Sequence, residues 1–564
     1  VKEKLNAVIC SLNSQYIHSS LAPWCLSAGV EEYCNDGICT EVVEGTVNET
    51  PEKVLERILS HKPQVIGFCC YIWNISSVLK LVELVKAALS DCSIVLGGPE
   101  VSYNAKEILL KVPLVDYVIS GEGERPFAQL LLAIYHEAEL RDIPGLCYRK
   151  GQEPVIAEPY LPCNIPPSPY NDKYLAALNG RIAYLETSRG CPFSCAFCLS
   201  GRCGGVRYYD IERVKRELIL LAGSGTKTIK LVDRTFNASI KRAKEIFGFI
   251  IEHYGKEIPQ GLCFHFEIAG DLLDAETIDL LGSAPLGSLQ FEIGVQSFNP
   301  RTLSAVNRKT DVEKLKNNIA ALLKKGNAHI HLDLIAGLPY EDLRSFADSF
   351  NMAYNLKPHM LQLGFLKLLH GSAMREKPEQ FPCEYNRAAP YEVLETPWIS
   401  REELIKLHST ELALNQLYNL GRFRRTLDYL LSRTDKSPYL FFYEFGDFLS
   451  NTKQAHTSLD EFTGFIFTYY SGQANIDKTQ LRDCMVCDRL ATNPSGKLPE
   501  SLKIQDPRLK ATIKAVERAD KRRKAVKRGY ALLYGEGCLI YADYEDKNPV
   551  TGEYLLKKFP YDIK

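Results

Sequence analysis

The sequence predicts an α/β chain in three blocks, and three observations predict it. Residues 1–140 alternate short apolar runs with stretches of helical periodicity. A second alternation of the same kind runs from 181 to 369. Beyond 373 the periodicity is mainly helical. The expected boundaries are 1–142 for a first domain, 143–179 for a linker, 180–372 for a second domain and 373–564 for a mostly α C-terminal domain.

In the first block the strand candidates are 6–13, 39–45, 65–73, 93–98 and 116–121. Helical patterns fill 21–34, 51–61, 76–90, 103–111 and 125–139. Thr50 before Pro51 marks one helix start, because proline suits the first helical turn. Such alternation implies a doubly wound parallel sheet, covered by helices on both faces. A ligand of such a sheet sits beyond the carboxyl ends of the strands. Those ends are small and polar here. They are Asn13-Ser14, Tyr71 to Asn74 with Trp73 between, Gly97-Gly98-Pro99-Glu100, and Gly121-Glu122-Gly123-Glu124. Glycine at these points lets a bulky ligand approach the backbone. No G-x-G-x-x-G opens the first helix, which disfavours a dinucleotide.

Pro144, Pro154, Pro159, Pro162, Pro166, Pro167 and Pro169 crowd the next segment, which reads as an extended connector. The composition is globular, with 45% apolar and 24% charged residues. A net charge of −1 disfavours a globally basic nucleic-acid binder. The opening VKEKLNAVICSLN reads as a lead into a strand rather than a signal peptide. No apolar run reaches the roughly 18 residues of a membrane span. The expectation is a cytoplasmic protein without a membrane. The 18 cysteines should then be buried thiols or metal ligands rather than bridges.

The strongest signal is RGCPFSCAFC at 189–198, which follows the apolar strand candidate 181–188. Cys191, Cys195 and Cys198 are spaced C-x3-C-x2-C on a loop. Three thiolates from one short loop suit an iron–sulfur cluster better than zinc, which usually wants four ligands in two knuckles. A cubane held by three cysteines leaves one iron open. Five more strand candidates follow, at 226–233, 262–270, 288–297, 329–339 and 360–369. Six strand–helix units suit an incomplete (β/α)6 barrel of the TIM type, with chemistry at the carboxyl ends of the strands. Asp233, Glu267, Glu292, Gln296, Asp333 and His370 stand at those ends.

These motifs resemble a known family. The cysteine loop, with Phe197 before its last cysteine, looks like the radical S-adenosylmethionine (SAM) superfamily. The stretch from Gly294 to Ser297, then Asn307-Arg308, and DLIAGLP from Asp333 to Pro339 resemble its oxygen-independent coproporphyrinogen oxidase branch. The resemblance implies a 4Fe-4S cluster on the three cysteines. It puts Phe197, Glu267, Gln296, Arg308 and Asp333 around SAM. The GGPE and GEGE loops, with the cysteine loop downstream, resemble the cobalamin-binding radical SAM class, whose cobalamin domain is Rossmann-like. The implied cobalamin contacts are Asn13, Ser14, Tyr71, Trp73, Asn74, Gly97, Gly98, Pro99, Glu100, Gly121 and Glu122. The sequence departs from the D-x-H-x-x-G motif, because His18 has Tyr16 before it and Leu21 after it. A histidine ligand to cobalt is therefore not expected, and His18 reads as a packing residue. Cys69 and Cys70 stand where small hydroxyl residues are common in the class.

The resemblance implies reductive SAM cleavage and, as the leading reading, methylation of an unactivated carbon. The alternatives are a cyclisation or rearrangement with the same cofactors, or an RNA-modifying relative. A small-molecule substrate and an electron donor such as flavodoxin or ferredoxin would be the partners. The last third resembles an extension of unknown function. Cys484 and Cys487 form a lone C-x2-C there. Residues 508–528 carry a basic run that includes Lys521, Arg522, Arg523 and Lys524, read as a solvated helix face.

Overall fold

The computed structural model describes residues 3–34, 37–452, 457–519 and 527–560. The chain divides into two compact units. The first is Val1–Leu273 with Ser304–Thr310 and Phe365–Pro397. The second is Asp274–Leu303, Asp311–Gly364 and Trp398–Lys564.

The first unit opens with β1 (Leu5–Asn13), β2 (Ile38–Thr46), β3 (Val65–Cys69), β4 (Ser93–Gly97) and β5 (Tyr117–Ile119). They pair in parallel in the order β2-β1-β3-β4-β5. Along β1, Val8, Cys10 and Leu12 enter one apolar core, while Ala7 and Ile9 enter the other. That is the period of two of a strand covered on both faces. The order reverses between β1 and β3, and such a switch point opens a crevice at the carboxyl edge.

The proline-rich connector is more ordered than its composition suggests. It forms β6 (Leu146–Lys150) and β7 (Glu153–Val155), an antiparallel pair that extends the same sheet beyond β5. Pro154 is tolerated there because β7 is the edge strand. A short helix, Asp172–Leu178, completes the segment.

Next come β8 (Ala183–Leu185), β9 (Ser188–Cys191), β10 (Gly205–Tyr208), β11 (Thr228–Leu231) and β12 (Cys263–Ile268). Strands β8, β11 and β12 are parallel, with helices Ile211–Ala222 and Ile240–His253 between them. The expected strand 181–188 is thus broken in two. Its second half, β9, turns away to pair with β10 and carries Cys191 at its end.

The second unit holds β13 (Leu289–Gln296), β14 (Ala328–Ala336) and β15 (Met360–Phe365), in that order, with β13 and β14 parallel. Helices Val312–Lys325 and Leu343–Asn355 connect them. Of the six strands expected for the partial barrel, β8, β11 and β12 fall in the first unit and β13 to β15 in the second. Each strand has one buried apolar face: Phe264 and Phe266 on β12, Phe291 and Ile293 on β13. The other face is polar, with His265 and Glu267 on β12 and Gln290, Glu292 and Gln296 on β13. Branched apolar side chains usually fill such a barrel. Polar ones suit a bound ligand.

The C-terminal part is mainly helical, as expected, with Arg401–Leu414, Pro438–Thr452, Leu459–Ser471 and Lys478–Thr492 as its main helices. A short antiparallel pair, β16 (Glu384–Tyr385) and β17 (Val393–Glu395), precedes it in the first unit. The chain then adds a sheet the sequence reading missed: β18 (Arg528–Leu533), β19 (Cys538–Lys547) and β20 (Tyr554–Pro560). The alternating run on either side of Gly535-Glu536-Gly537 was its hairpin signal. Of the basic run, Lys521 to Lys524 lie outside the described residues.

One buried carboxylate organises the helical part. The helix Arg424–Ser432 has no side-chain cap of its own. Asp488, 1% exposed, accepts from its first-turn amides at Arg425 (3.0 Å) and Thr426 (2.8 Å) and from the Thr426 hydroxyl (2.7 Å). Removing it strands donors at a positive helix end. Asp488→Ala should therefore cost about 3 kcal/mol or more, as loss of a buried charged partner does. A fall in the thermal unfolding midpoint of the cofactor-free protein checks this; an unchanged midpoint contradicts it.

Candidate functional site

A cavity of about 670 Å3 lies within the first unit. The strand ends Asn13-Ser14, Tyr71, Trp73, Gly97-Gly98-Pro99 and Gly121-Glu122 line it. So do Glu186, Ser188, Arg189 and Gly190 at the approach to the cysteine loop, and Glu267 of β12. The carboxyl edge of the first sheet and the entry to the cysteine loop thus share one space.

Trp73 is 50% exposed and lies flat on Tyr71, with ring centroids 4.4 Å apart and planes 5° from parallel. Its indole N–H donates to the Leu12 carbonyl at 3.2 Å, which fixes the ring. A fixed, half-exposed aromatic platform suits a large flat ligand. A Cβ at Gly97 would meet nothing closer than 3.8 Å, so the cavity reaches the backbone there. Gly98 and Gly121 have a more local reason: φ is 108° and 91°, and a Cβ would strike the Cys70 and Tyr160 carbonyls.

Two expected contacts do not line the cavity. Asn74 is fully buried and donates to the Leu12 and Cys69 carbonyls, both at 3.0 Å, so it ties the ends of β1 and β3 together. Glu100 is buried and accepts from the Tyr391 hydroxyl. Both side chains are spent on the protein itself. His18, read as a packing residue, does line the cavity and shares a 2.7 Å hydrogen bond with the Tyr184 hydroxyl. Burial, then Lys230, lowers its pKa.

The cysteine loop has almost no secondary structure of its own, so other segments hold it. Ala196 N–H donates to the Val306 carbonyl at 2.9 Å and Met374 N–H to the Ala196 carbonyl at 3.0 Å. Asn307, at φ 54°, donates its amide to the Ser194 carbonyl at 3.1 Å. Arg308 then stands 3.9 Å from Cys195 Sγ. Burial holds the Cys195 thiol above its ordinary value, and Arg308 offsets part of that rise. Ser200 N–H points at Cys198 Sγ, 3.4 Å away. Three thiols on one turn, beside a cation and an amide donor, fit thiolate ligands of a cluster.

Asp233, at the carboxyl end of a barrel strand where chemistry is expected, is 1% exposed and turned to the protein. It accepts from Thr187 N (3.2 Å), Thr187 Oγ1 (2.7 Å) and Ser188 Oγ, and so anchors β9. Burial pushes its pKa up to about 6. His370 packs edge-on against Tyr391, with centroids 5.0 Å apart. Glu267 pairs with Lys230 at 3.3 Å. Phe197 is half-buried in the cysteine loop.

In the second unit, Gln296 sits at φ 68° beside a bulge in β13, a conformation that functional sites often hold. Its amide oxygen is buried with no partner among the described residues. Glu292, His331 and Asp333 gather within 4.8 Å, with His331 Nε2 3.0 Å from Asp333 Oδ1. Cys484 and Cys487 lie one turn apart on the helix Lys478–Thr492, and burial raises them to about 11 and 12.

Three protein families match parts of the chain. Residues 185–353 match the Radical SAM superfamily, 11–131 the B12 binding domain and 379–533 a protein family of unknown function, DUF4080. A B12 binding domain ahead of a Radical SAM domain supports a cobalamin-dependent radical SAM enzyme. The cofactors of this class are a 4Fe-4S cluster, SAM and cobalamin. The 2-(S-pantetheinyl)-carbapenam-3-carboxylate methyltransferase of Streptantibioticus cattleyicolor is 28% identical over 68% of this chain. The cobalamin-dependent radical SAM methyltransferase TokK of Streptomyces tokunonensis is also 28% identical over 68%. The chain spans 60% and 61% of these two relatives' lengths. The structure of OxsB with aqua-cobalamin and SAM superposes with a TM-score of 0.58 at 14% identity, over 86% of this chain and 78% of that one. No helix among the described residues is long and apolar enough to cross a membrane.

Two predictions follow from the site. Cys195→Ala should abolish iron loading and SAM cleavage while corrinoid binding to the first sheet persists; absorbance of each cofactor reads both, and retained cleavage contradicts the assignment. Glu341, 1% exposed, accepts from Ser297 Oγ (2.5 Å) and Ser349 Oγ (3.2 Å), and burial raises it from 4.5 to about 7. A raised carboxyl favours the fold when protonated, so its contribution is complete below pH 4.5 and is lost as pH rises through about 7. Glu341→Gln should flatten that part of the stability–pH curve, measured by thermal unfolding.

Proposed function

We propose that this chain is a cobalamin-dependent radical SAM methyltransferase that methylates an unactivated carbon of a small molecule. The observation that carries the reading is the shared cavity, bounded by the first sheet's carboxyl edge and by the approach to the cysteine loop. The similarity to two methyltransferases of this class supports it. When bound, the cluster with SAM supplies a radical that removes hydrogen from carbon, and cobalamin supplies the methyl group.

The residues then divide the work. Cys191, Cys195 and Cys198 hold the cluster. Arg308 places a fixed positive charge beside them, which suits the carboxylate of SAM. Gln296, Glu267 and Asp333 offer the polar groups that orient SAM. Asn13, Ser14, Gly97, Gly98, Pro99, Gly121 and Glu122 bound the corrin side, with Tyr71 and Trp73 as its platform. The polar face of β13 suits a substrate rich in hydrogen-bonding groups. An electron donor such as flavodoxin or ferredoxin would supply the reducing electron.

The test uses anaerobic, cofactor-loaded enzyme with titanium(III) citrate and SAM bearing a trideuterated methyl group. The expected products are S-adenosylhomocysteine and 5′-deoxyadenosine, the former dependent on cobalamin. A substrate should gain one trideuteromethyl group. Formation of 5′-deoxyadenosine with a product of unchanged carbon count would place the chain with the cyclising or rearranging members instead.

A further inference from the structure

Arg189 lies on β9, two residues before Cys191 and opposite Arg207 on β10. All three guanidinium nitrogens meet carboxylates. Nη1 is 2.8 Å from Glu122, Nη2 is 2.6 Å from Glu124 and Nε is 2.9 Å from Glu186. Glu122 also pairs with Arg207, and Glu186 accepts from the Tyr209 hydroxyl. The four side chains are 10–19% exposed.

These partners come from two places. Glu122 and Glu124 belong to the GEGE loop of the first sheet, and Glu124 opens the helix Glu124–His136. Glu186 follows β8, and Arg189 leads into the cysteine loop. The network therefore joins the edge that would carry cobalamin to the strand that carries the first cluster ligand. A buried network of this kind is weak evidence for stability, since apolar packing often does as well. What it supplies is geometry. A planar fork bound at three points fixes both position and orientation, which a lysine cannot do.

We propose that Arg189 is a positioning residue that sets the cysteine loop against the GEGE loop, and with it the register between cluster-bound SAM and cobalamin. This rests on the methyltransferase reading. Two SAM molecules would be used in turn at the one site. Cleavage of one to methionine and 5′-deoxyadenosine would need the cluster, an electron from titanium(III) and a hydrogen atom from substrate or buffer, but not cobalamin. Release of S-adenosylhomocysteine needs the SAM methyl carbon aligned with cobalt: its bond to sulfur breaks as reduced cobalt donates the electron pair that forms the new one. A misplacement of about 1 Å can cost on the order of a hundredfold in such a step.

The experiment compares wild type with Arg189→Lys, both anaerobically loaded, with SAM, hydroxocobalamin and titanium(III) citrate. Iron, sulfide and corrinoid are counted per chain. The expected result is full cofactor content with a ratio of S-adenosylhomocysteine to 5′-deoxyadenosine lowered by about tenfold to a hundredfold. Electron paramagnetic resonance gives a readout independent of turnover: the microwave power saturation of bound cob(II)alamin beside the reduced cluster should change in the variant. An unchanged ratio and unchanged saturation overturn the proposal. So does a parallel fall of both products with loss of either cofactor, which marks a structural role only. Should Arg189→Lys not fold, Glu124→Gln removes one carboxylate charge at nearly constant size, and the same selective loss is expected. A wild-type enzyme that makes no cobalamin-dependent S-adenosylhomocysteine defeats the methyltransferase reading, and the saturation change then still decides the role of Arg189.

Discussion

A parallel sheet has to be covered on both faces, and the first unit follows from that constraint. With apolar cores above and below β1 to β5, a ligand can reach the backbone at the carboxyl edge. The strand order reverses at β1 and β3, so the crevice opens there. Asn74 spends its whole amide on holding the ends of those two strands, which keeps the floor rigid while Trp73 and Gly97 stay accessible. The hairpin of β6 and β7 covers the flank of β5 that would otherwise be an open edge.

The cysteine loop poses the opposite problem. It must present three thiols yet has little regular structure, so its polar backbone groups find partners elsewhere. Val306, Asn307 and Met374 supply them from segments more than a hundred residues downstream. Asp233 secures the strand that leads in, at the cost of its own ordinary ionisation. The loop is thus a place where several elements converge. A site assembled in this way can be positioned closely only if each element is itself rigid.

Asp488 plays the comparable part in the helical domain, where it caps a helix that lacks a cap of its own. The helix that carries Asp488, Lys478–Thr492, also carries Cys484 and Cys487. Burial raises both thiols, and their spacing matches half of a zinc knuckle.

Local chemistry was legible in the sequence. The period of two and the helical period gave the order of strands and helices, because burial on alternate positions leaves its mark residue by residue. The C-x3-C-x2-C loop named its own ligand type, because few other roles put three thiols so close together. Long-range choices were not legible. Glu100 and Asp233 sit in motifs that promise ligand contact, yet Tyr391, Thr187 and Ser188 engage them first. Nothing in RGCP says that its arginine will meet Glu122 and Glu124 some sixty-five residues upstream. Sequence determined which elements form and which chemistry they carry, since those depend on neighbours along the chain. Tertiary structure decided which polar groups face a ligand and which are used up inside, since that depends on partners only folding can supply.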